Sequence, residues 1–255
     1  MTAGPLPHTH SSTIRRVGDR MERPVKVMST LAVELALKSA LLPAWRGSGR
    51  DVDMEWSPTG VLIDRVRAGA RGDVLIAIDQ PIAELVEQGV LRAGSVRPVA
   101  RASFGLGVRR GAARPDISTP ERFRAALVSA RSVVYSLTGA SGIHFQEVMK
   151  RLDITETVGS KATVIQAGFT ADRVIAGEAD LAVQQVSELM SIDGIDVVGP
   201  FPGPYQKHTD FSAAVFADSV VPGIAEAFVD HLSDEKAGGV YSRSGLLSRI
   251  ASAAR

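Results

Sequence analysis

Apolar and polar positions along this chain repeat in two rhythms, and the switches between them mark its elements. After Pro24, "VKVMST" is an apolar run of strand length, and "LAVELALKSALLPAW" sets Leu31, Leu35, Ala36 and Leu42 on one helical face. "DVDMEWS" alternates with period two, "PTG" turns the chain, and "VLIDRVRAGA" predicts a helix ending near Gly69. "DVLIAID" is apolar enough to be buried on both faces of a sheet. "PIAELVEQGVL" is again helical, with Gly89 past its end. Strand and helix thus alternate three times in the first hundred residues, which calls for a parallel sheet covered by helices.

The pattern restarts near residue 100, so two α/β halves are expected rather than one barrel. "VARASFGLGVRR" predicts a strand, and "TPERFRAALVS" a helix with Thr119 as N-cap and Pro120 at its first position. "SVVYSLTG" is a strand that runs into the helix of "ASGIHFQEVMKRLDI". "TVIQAG" then predicts a strand, "FTADRVIAGEA" a helix, "DLAVQQVSEL" a strand with a turn, and "IDVVGPFP" and "FSAAVFA" two more strands. Helices "GIAEAFVDHLS" and "DEKAGGVYSRSGL" close the chain.

With 255 residues, 45% of them hydrophobic, either one large domain or two lobes can bury a core. The 29 basic and 28 acidic side chains nearly cancel, so no global field points to nucleic acid or an anionic membrane surface. The absence of cysteine removes disulfides, thiolate metal sites and cysteine nucleophiles. No apolar run approaches the ~18–20 residues that span a bilayer. Residues 1–23, with two prolines, His8 and His10 and several arginines, read as a disordered leader without the apolar core of a secretory signal. As written, the sequence predicts a cytoplasmic protein, or a periplasmic one whose native leader was removed or replaced.

Ligands of open parallel sheets bind beyond the carboxyl ends of the strands, where loops enter helix N-termini. Four such junctions carry small residues: "MST" with Ser29 and Thr30, "SPTG" with Ser57, Thr59 and Gly60, "SLTGAS" with Ser136, Thr138, Ala140 and Ser141, and "IQAGFT" with Gln166, Ala167 and Gly168. None holds a lysine or arginine. Each hydroxyl is either a plain N-cap, worth about 1 kcal/mol, or a contact to an oxyanion held by the unpaired N–H groups of the helix start. No Gly-Lys-Ser/Thr loop, dinucleotide fingerprint, Gly-x-Ser-x-Gly elbow or metal-ligand spacing is present, so neither cofactor nor metal is expected. Asp73 and Asp79 read as cap or hinge residues, and His144 as a helical histidine or a general base. His208 and His231 have no partner visible in the sequence.

These junctions also carry a resemblance. "VKVMSTLAVELALKSALLPAW", "RVRAGARGDVLIAIDQPIAELVEQGVL" and "ASGIHFQEVMKRLDI" resemble the periplasmic molybdate-binding proteins of ABC importers, over about residues 25 to 245. The resemblance implies the type II periplasmic-binding fold, with two α/β lobes, each a mostly parallel sheet flanked by helices, closing on a small anion. Residues 24–101 and 215–255 would form the first lobe and 102–214 the second, with hinges near Ala102–Ser103 and Ser212–Val215. By position it places ligand contacts at Thr30 beside Ser29, at Thr59 between Ser57 and Gly60, at the backbone of Ser141 next to Ala140, and at Ala167 or Gly168. The family's tyrosine, in a "GIVYGSD"-like strand end, is replaced by Gln185 in "AVQQVSE", and its acid by Glu188. A glutamine suits a carboxylate or hydroxy acid at least as well as a bare oxyanion. "QQVSEL…GIDVVGPFP" is similar to the aconitate isomerase-like branch of the same superfamily. Two functions follow. One is a monomeric binder delivering a small anion to an ABC transporter permease or a sensor. The other is a polycarboxylate isomerase, with Glu188, His144 or Tyr135 as base.

Overall fold

The computed structural model describes residues 23–166 and 168–250. The expected leader with His8 and His10, and Ala167, lie outside the described residues. In the first half, β1 (Val25–Ser29) lies between β2 (Val52–Trp56) and β3 (Val74–Ile78), parallel to both. In the second, β5 (Val133–Ser136) lies between β6 (Thr163–Ile165) and β7 (Leu181–Gln185), again parallel to both. Long β4 (Arg97–Arg109), β8 (Ile195–Pro200), β9 (His208–Val215) and β10 (Leu246–Ser248) complete a ten-stranded path whose main order is β2-β1-β3-β9-β4-β7-β5-β6.

β4 belongs to both halves. As far as Ser103 it pairs antiparallel with β9, and from Phe104 onward with β7 and β8. At the change of partners the Gln206 side chain stands in for a strand: its Oε1 accepts from Phe104 N at 3.0 Å and its Nε2 donates to Phe104 O at 2.9 Å. The return crossing runs through residues 201–207, upstream of the hinge expected at Ser212–Val215. β9 begins at His208, opposite Ser103, and pairs with β3 from Phe211, so residues 208–214 are woven into the first sheet rather than the second.

The helical stretch 31–47 opens with a 3-10 turn, Leu31–Val33, followed by α1 (Glu34–Ala36), a π segment, Leu37–Leu41, and α2 (Leu42–Gly47). Pro43 has no N–H for the Ser39 carbonyl, and the widened turn just before it gives the ring room. α3 (Thr59–Arg67) and α4 (Asp79–Glu87) follow β2 and β3. α5 (Pro120–Ser129), α6 (Ala140–Arg151), α7 (Thr155–Gly159), α8 (Ala171–Ile175) and α9 (Val186–Met190) serve the second half, and α10 (Pro222–Leu232) and α11 (Glu235–Arg243) return to the first. Thr119 caps α5 through Arg122 N. α9 replaces the turn expected inside "DLAVQQVSEL": the edge of β4 that pairs with β7 as far as Phe104 passes to β10 at Ala102, so residue 186 has no ladder partner and the chain coils. The short α7 and β10 carry too few residues to show a period and were not anticipated.

Each half has a core on both faces of its sheet. In the first, Trp45 meets Phe228 edge-on at 5.0 Å and His231 bonds the Leu41 carbonyl. In the second, Phe123 and Phe201 pack at 5.0 Å. The glycines of "GLGVRR" are packing residues: a Cβ at Gly105 would lie 2.6 Å from the Gly199 carbonyl of β8. Asp73 fastens the start of β3, accepting from Lys26 N and Ser219 Oγ, both at 2.8 Å. Asp79 accepts from Ser212 Oγ at 2.8 Å and pairs with Arg249.

α6 sits against the end of β5 with no room for a side chain at Gly142, where a Cβ would fall 1.6 Å from the Ser136 carbonyl oxygen. In an ordinary helix Gly→Ala stabilises by about 1 kcal/mol. Gly142→Ala should instead destabilise the fold by about 1–3 kcal/mol, the usual cost of overpacking, read as a lowered urea midpoint.

Candidate functional site

The carboxyl ends of the parallel strands of both halves face one another across a cavity of about 260 Å³. β1 and β2 deliver Thr30, Pro58, Thr59 and Gly60 to its wall; β5 delivers Ser136 and Thr138 to Ser141; β6 delivers Gly168 and Thr170; β7 ends in Gln184 and Gln185, with Glu188 one turn further on. Ile143 and Phe211 supply apolar surface. No lysine or arginine lines the cavity among the described residues.

The hydrogen bonds decide between cap and contact for each hydroxyl. Ser136 Oγ accepts from Gly139 N at 3.1 Å, and Thr138 Oγ1 donates to the Gln166 carbonyl at 2.6 Å, so these two hold the loop together. Thr30 occupies the N-cap of its 3-10 turn but makes no side-chain cap bond, and it is buried. Thr59 is the first residue of α3, which Pro58 cannot cap, and its buried Oγ1 has no partner among the described residues. α6 starts after Gly139, which has no side chain to cap it. Away from the cavity, Thr119 and Asp234 do cap α5 and α11. The starts of α3 and α6, nine and twelve residues long, thus bring uncapped N–H groups and the positive ends of two helix dipoles to the cavity.

Opposite them lies the polar end of β7. Gln184 Oε1 accepts from Thr170 N at 2.9 Å and Thr170 Oγ1 at 2.8 Å, which fixes its amide. Gln185 Nε2 donates to Glu188 Oε1 at 3.1 Å, leaving Gln185 Oε1 buried without a partner among the described residues. Glu188 is 8% exposed. Burial pushes its carboxyl up from the ordinary 4.5 to about 7, against hydrogen bonds from the Gln184 side chain and the Gln185 backbone; the Glu34 carboxylate adds to the rise. A group poised there supplies either protonation state at neutral pH.

Of the contacts expected from sequence, Thr30, Thr59, Gly60, Ala140, Ser141, Gly168, Gln185 and Glu188 line the cavity. Ser29 and Ser57 do not: Ser29 is the buried last residue of β1, its Oγ donating to the Thr30 carbonyl, and Ser57 N donates to the Ser29 carbonyl. His144 turns away, its Nε2 2.7 Å from the Tyr205 carbonyl and its ring packed on Phe104. Tyr135 is buried in the second core. His208 meets Ser103 Oγ at the crossing. Thr170 and Gln184 were missed; the "QQ" doublet at a strand end was their one signal. The described residues contain no cluster of three or more potential metal ligands, and no helix long and apolar enough to cross a membrane.

Because the folded pKa of Glu188 lies above its unfolded value, its contribution to stability is fully present below pH 4.5 and is lost as pH rises through about 7. The loss is on the order of 3 kcal/mol. Glu188→Gln should therefore gain stability relative to the parent between pH 5 and pH 8, measured by urea unfolding at both. Parallel pH profiles would contradict this.

Residues 25–247 match the family model described as bacterial extracellular solute-binding protein. An aconitate isomerase from Pseudomonas sp is 33% identical over 184 residues, 72% of this chain and 70% of that protein. Among solved structures, the periplasmic molybdate-binding protein of Azotobacter vinelandii superposes with a TM-score of 0.71 at 17% identity, over 88% of this chain and 98% of that one. The sulfate-binding protein SubI of Mycobacterium tuberculosis H37Rv gives 0.64 at 17% identity, over 88% and 86%. At such identities the structures establish the two-lobed fold, while the match along nearly the whole described chain establishes the family. The chain belongs to the bacterial extracellular solute-binding proteins.

Proposed function

We propose that the chain captures a small carboxylate anion in the cleft between its halves. The observation that carries this reading is the cavity's polar lining: uncapped helix starts, a Thr59 hydroxyl unpartnered among the described residues, and a buried amide, with no cation among the described residues. Such a wall holds negative charge by many partial charges, as helix N-termini do, and the buried Gln185–Glu188 pair adds donors and acceptors beyond what a bare oxyanion uses. Capture needs only that the ligand prefer the closed arrangement of the lobes, and delivery to a transporter permease is the natural use. Calorimetry against molybdate, sulfate, citrate and aconitate tests the reading. A tricarboxylate should bind below millimolar, and Thr59→Val should weaken it about tenfold, the loss of one hydrogen bond of ~1.5 kcal/mol to a charged group. Tighter binding of molybdate than of any carboxylate would overturn the preference.

A second reading is favoured by Glu188 itself and by the aconitate isomerase relative. A carboxyl with both forms populated near pH 7 can move a proton along an unsaturated polycarboxylate. Glu188 would take the proton from the methylene beside the double bond, and the freed pair would form the new double bond to the central carbon. The old π pair would shift to the far alkene carbon, stabilised by its carboxylate, and take the same proton back from Glu188. Atoms and charge balance with one base. NMR of cis- and trans-aconitate incubated with the protein should then show interconversion, reduced about 100-fold or more in Glu188→Gln. No turnover at high protein concentration excludes this reaction for that substrate.

A further inference from the structure

Gln184 and Gln185 are neighbours on β7, yet only one amide is locked. Thr170 fixes Gln184 with two donors, whereas the side chain of Gln185 is held by Glu188 alone. Gln185 is 7% exposed, lines the cavity and leaves Oε1 without a partner among the described residues. With Glu188 ionised, the amide must give Nε2 to the carboxylate, and what it has left is an acceptor. An ionised carboxylate group has nothing to donate to it. The two ends of an amide are alike in size, so Gln185 can turn in place once Glu188 is protonated: the Glu188 O–H then donates to Oε1, and Nε2 is free to donate to the ligand.

We propose that the cleft takes up its anion together with one proton, delivered from solvent to Glu188, while the Gln185 amide turns from acceptor to donor. This rests on the capture reading and specifies how that site chooses the polarity of its ligand. The chemistry is one protonation: a carboxylate becomes a carboxylic acid, and no other bond changes. The charges around Glu188 act in the same direction. Glu34 of α1 faces it and opposes its ionised form, although Glu34 is itself paired with Lys38. β7 and the 3-10 turn Leu31–Val33, which pack on α9, carry no ionisable side chain. β4 brings Arg97 and Arg101, paired with Asp230 and Asp210, and Arg109 at its far end; β8 brings Asp196, held by Arg114 and Gly111 N. A second negative charge arriving in the cavity disfavours the carboxylate further, and burial has already brought the proton within reach near neutral pH.

Two measurements test the proposal. Calorimetry of citrate and aconitate at pH 8.5, in phosphate and in Tris, reads protons exchanged from the difference in apparent enthalpy. Uptake should approach one proton per ligand, affinity should fall about tenfold per pH unit above pH 8, and Glu188→Gln should bind with neither effect. Binding without proton uptake overturns the proposal and leaves Glu188 ionised in the complex, as the isomerase reading requires. The second measurement needs no ligand. The side-chain amide of Gln185, assigned by its loss in Gln185→Leu, is followed by ¹⁵N NMR from pH 5 to 9. Its resonances should move with a midpoint near 7 in the parent and stay still in Glu188→Gln; a parent amide that does not titrate overturns the switch. If neither acid binds, the capture reading fails for these ligands, and the amide titration still decides the pair.

Discussion

Everything in this molecule hangs from β4. Its thirteen residues pass from one sheet to the other without a break, pairing with β9 before the crossing and with β7 and β8 after it. The first residue beyond the crossing, Phe104, lies opposite Gln185. The polar end of β7 is therefore registered on the strand that joins the two halves, and the chain after Gln185 must coil into α9. α9 in turn packs against the 3-10 turn and α1 of the opposite half. Glu188 is buried because that contact closes over it, so its raised pKa follows from topology rather than from any unusual neighbour.

Among the described residues, none that lines the cavity opposite this strand end carries a formal positive charge. A lysine or arginine would attract anions of every shape, whereas hydroxyls and helix-start N–H groups act only along the directions in which they point. Selectivity then depends on where the helices are aimed. The close seat of α6 on β5 at Gly142 and the loop bonds of Ser136 and Thr138 serve that aim. Residues behind the wall set the positions of those that line it.

Much of this was legible in the chain. The alternation of strand and helix, with its restart near residue 100, gives the two halves, because periodicity reports buried faces directly. Thr30, Thr59 and Ser141 line the cavity because strand-to-helix junctions end on it, at the carboxyl ends of the parallel strands where ligands of such sheets bind. Sequence could not distinguish a capping hydroxyl from a free one: Thr119 and Thr30 look alike until the hydrogen bonds are seen. Ser29 was expected in the wall because it adjoins Thr30, but successive residues at a strand end point to opposite sides; Ser57 was expected because it precedes Thr59, but it lies past the end of β2, its N–H bonded to the Ser29 carbonyl. The extent of β9 was misjudged because "HTDF" mixes polar and apolar residues, and its partner strand lies a hundred residues away. Glu188 was visible as a carboxylate; its burial depends on helices distant in sequence.

Gln206 gives the crossing a mechanical character of its own. Where the edge of β4 passes from β9 to β8, the Phe104 N–H donates to a side-chain amide, and the Phe104 carbonyl is shared between that amide and the backbone N–H of Phe201. A side chain has rotatable bonds that a ladder lacks. A change of angle about this point can keep the Phe104 N–H paired through those torsions, while the Phe201 N–H bond to the Phe104 carbonyl tethers the end of β8 to the crossing. The amide acts as a bearing between the two sheets.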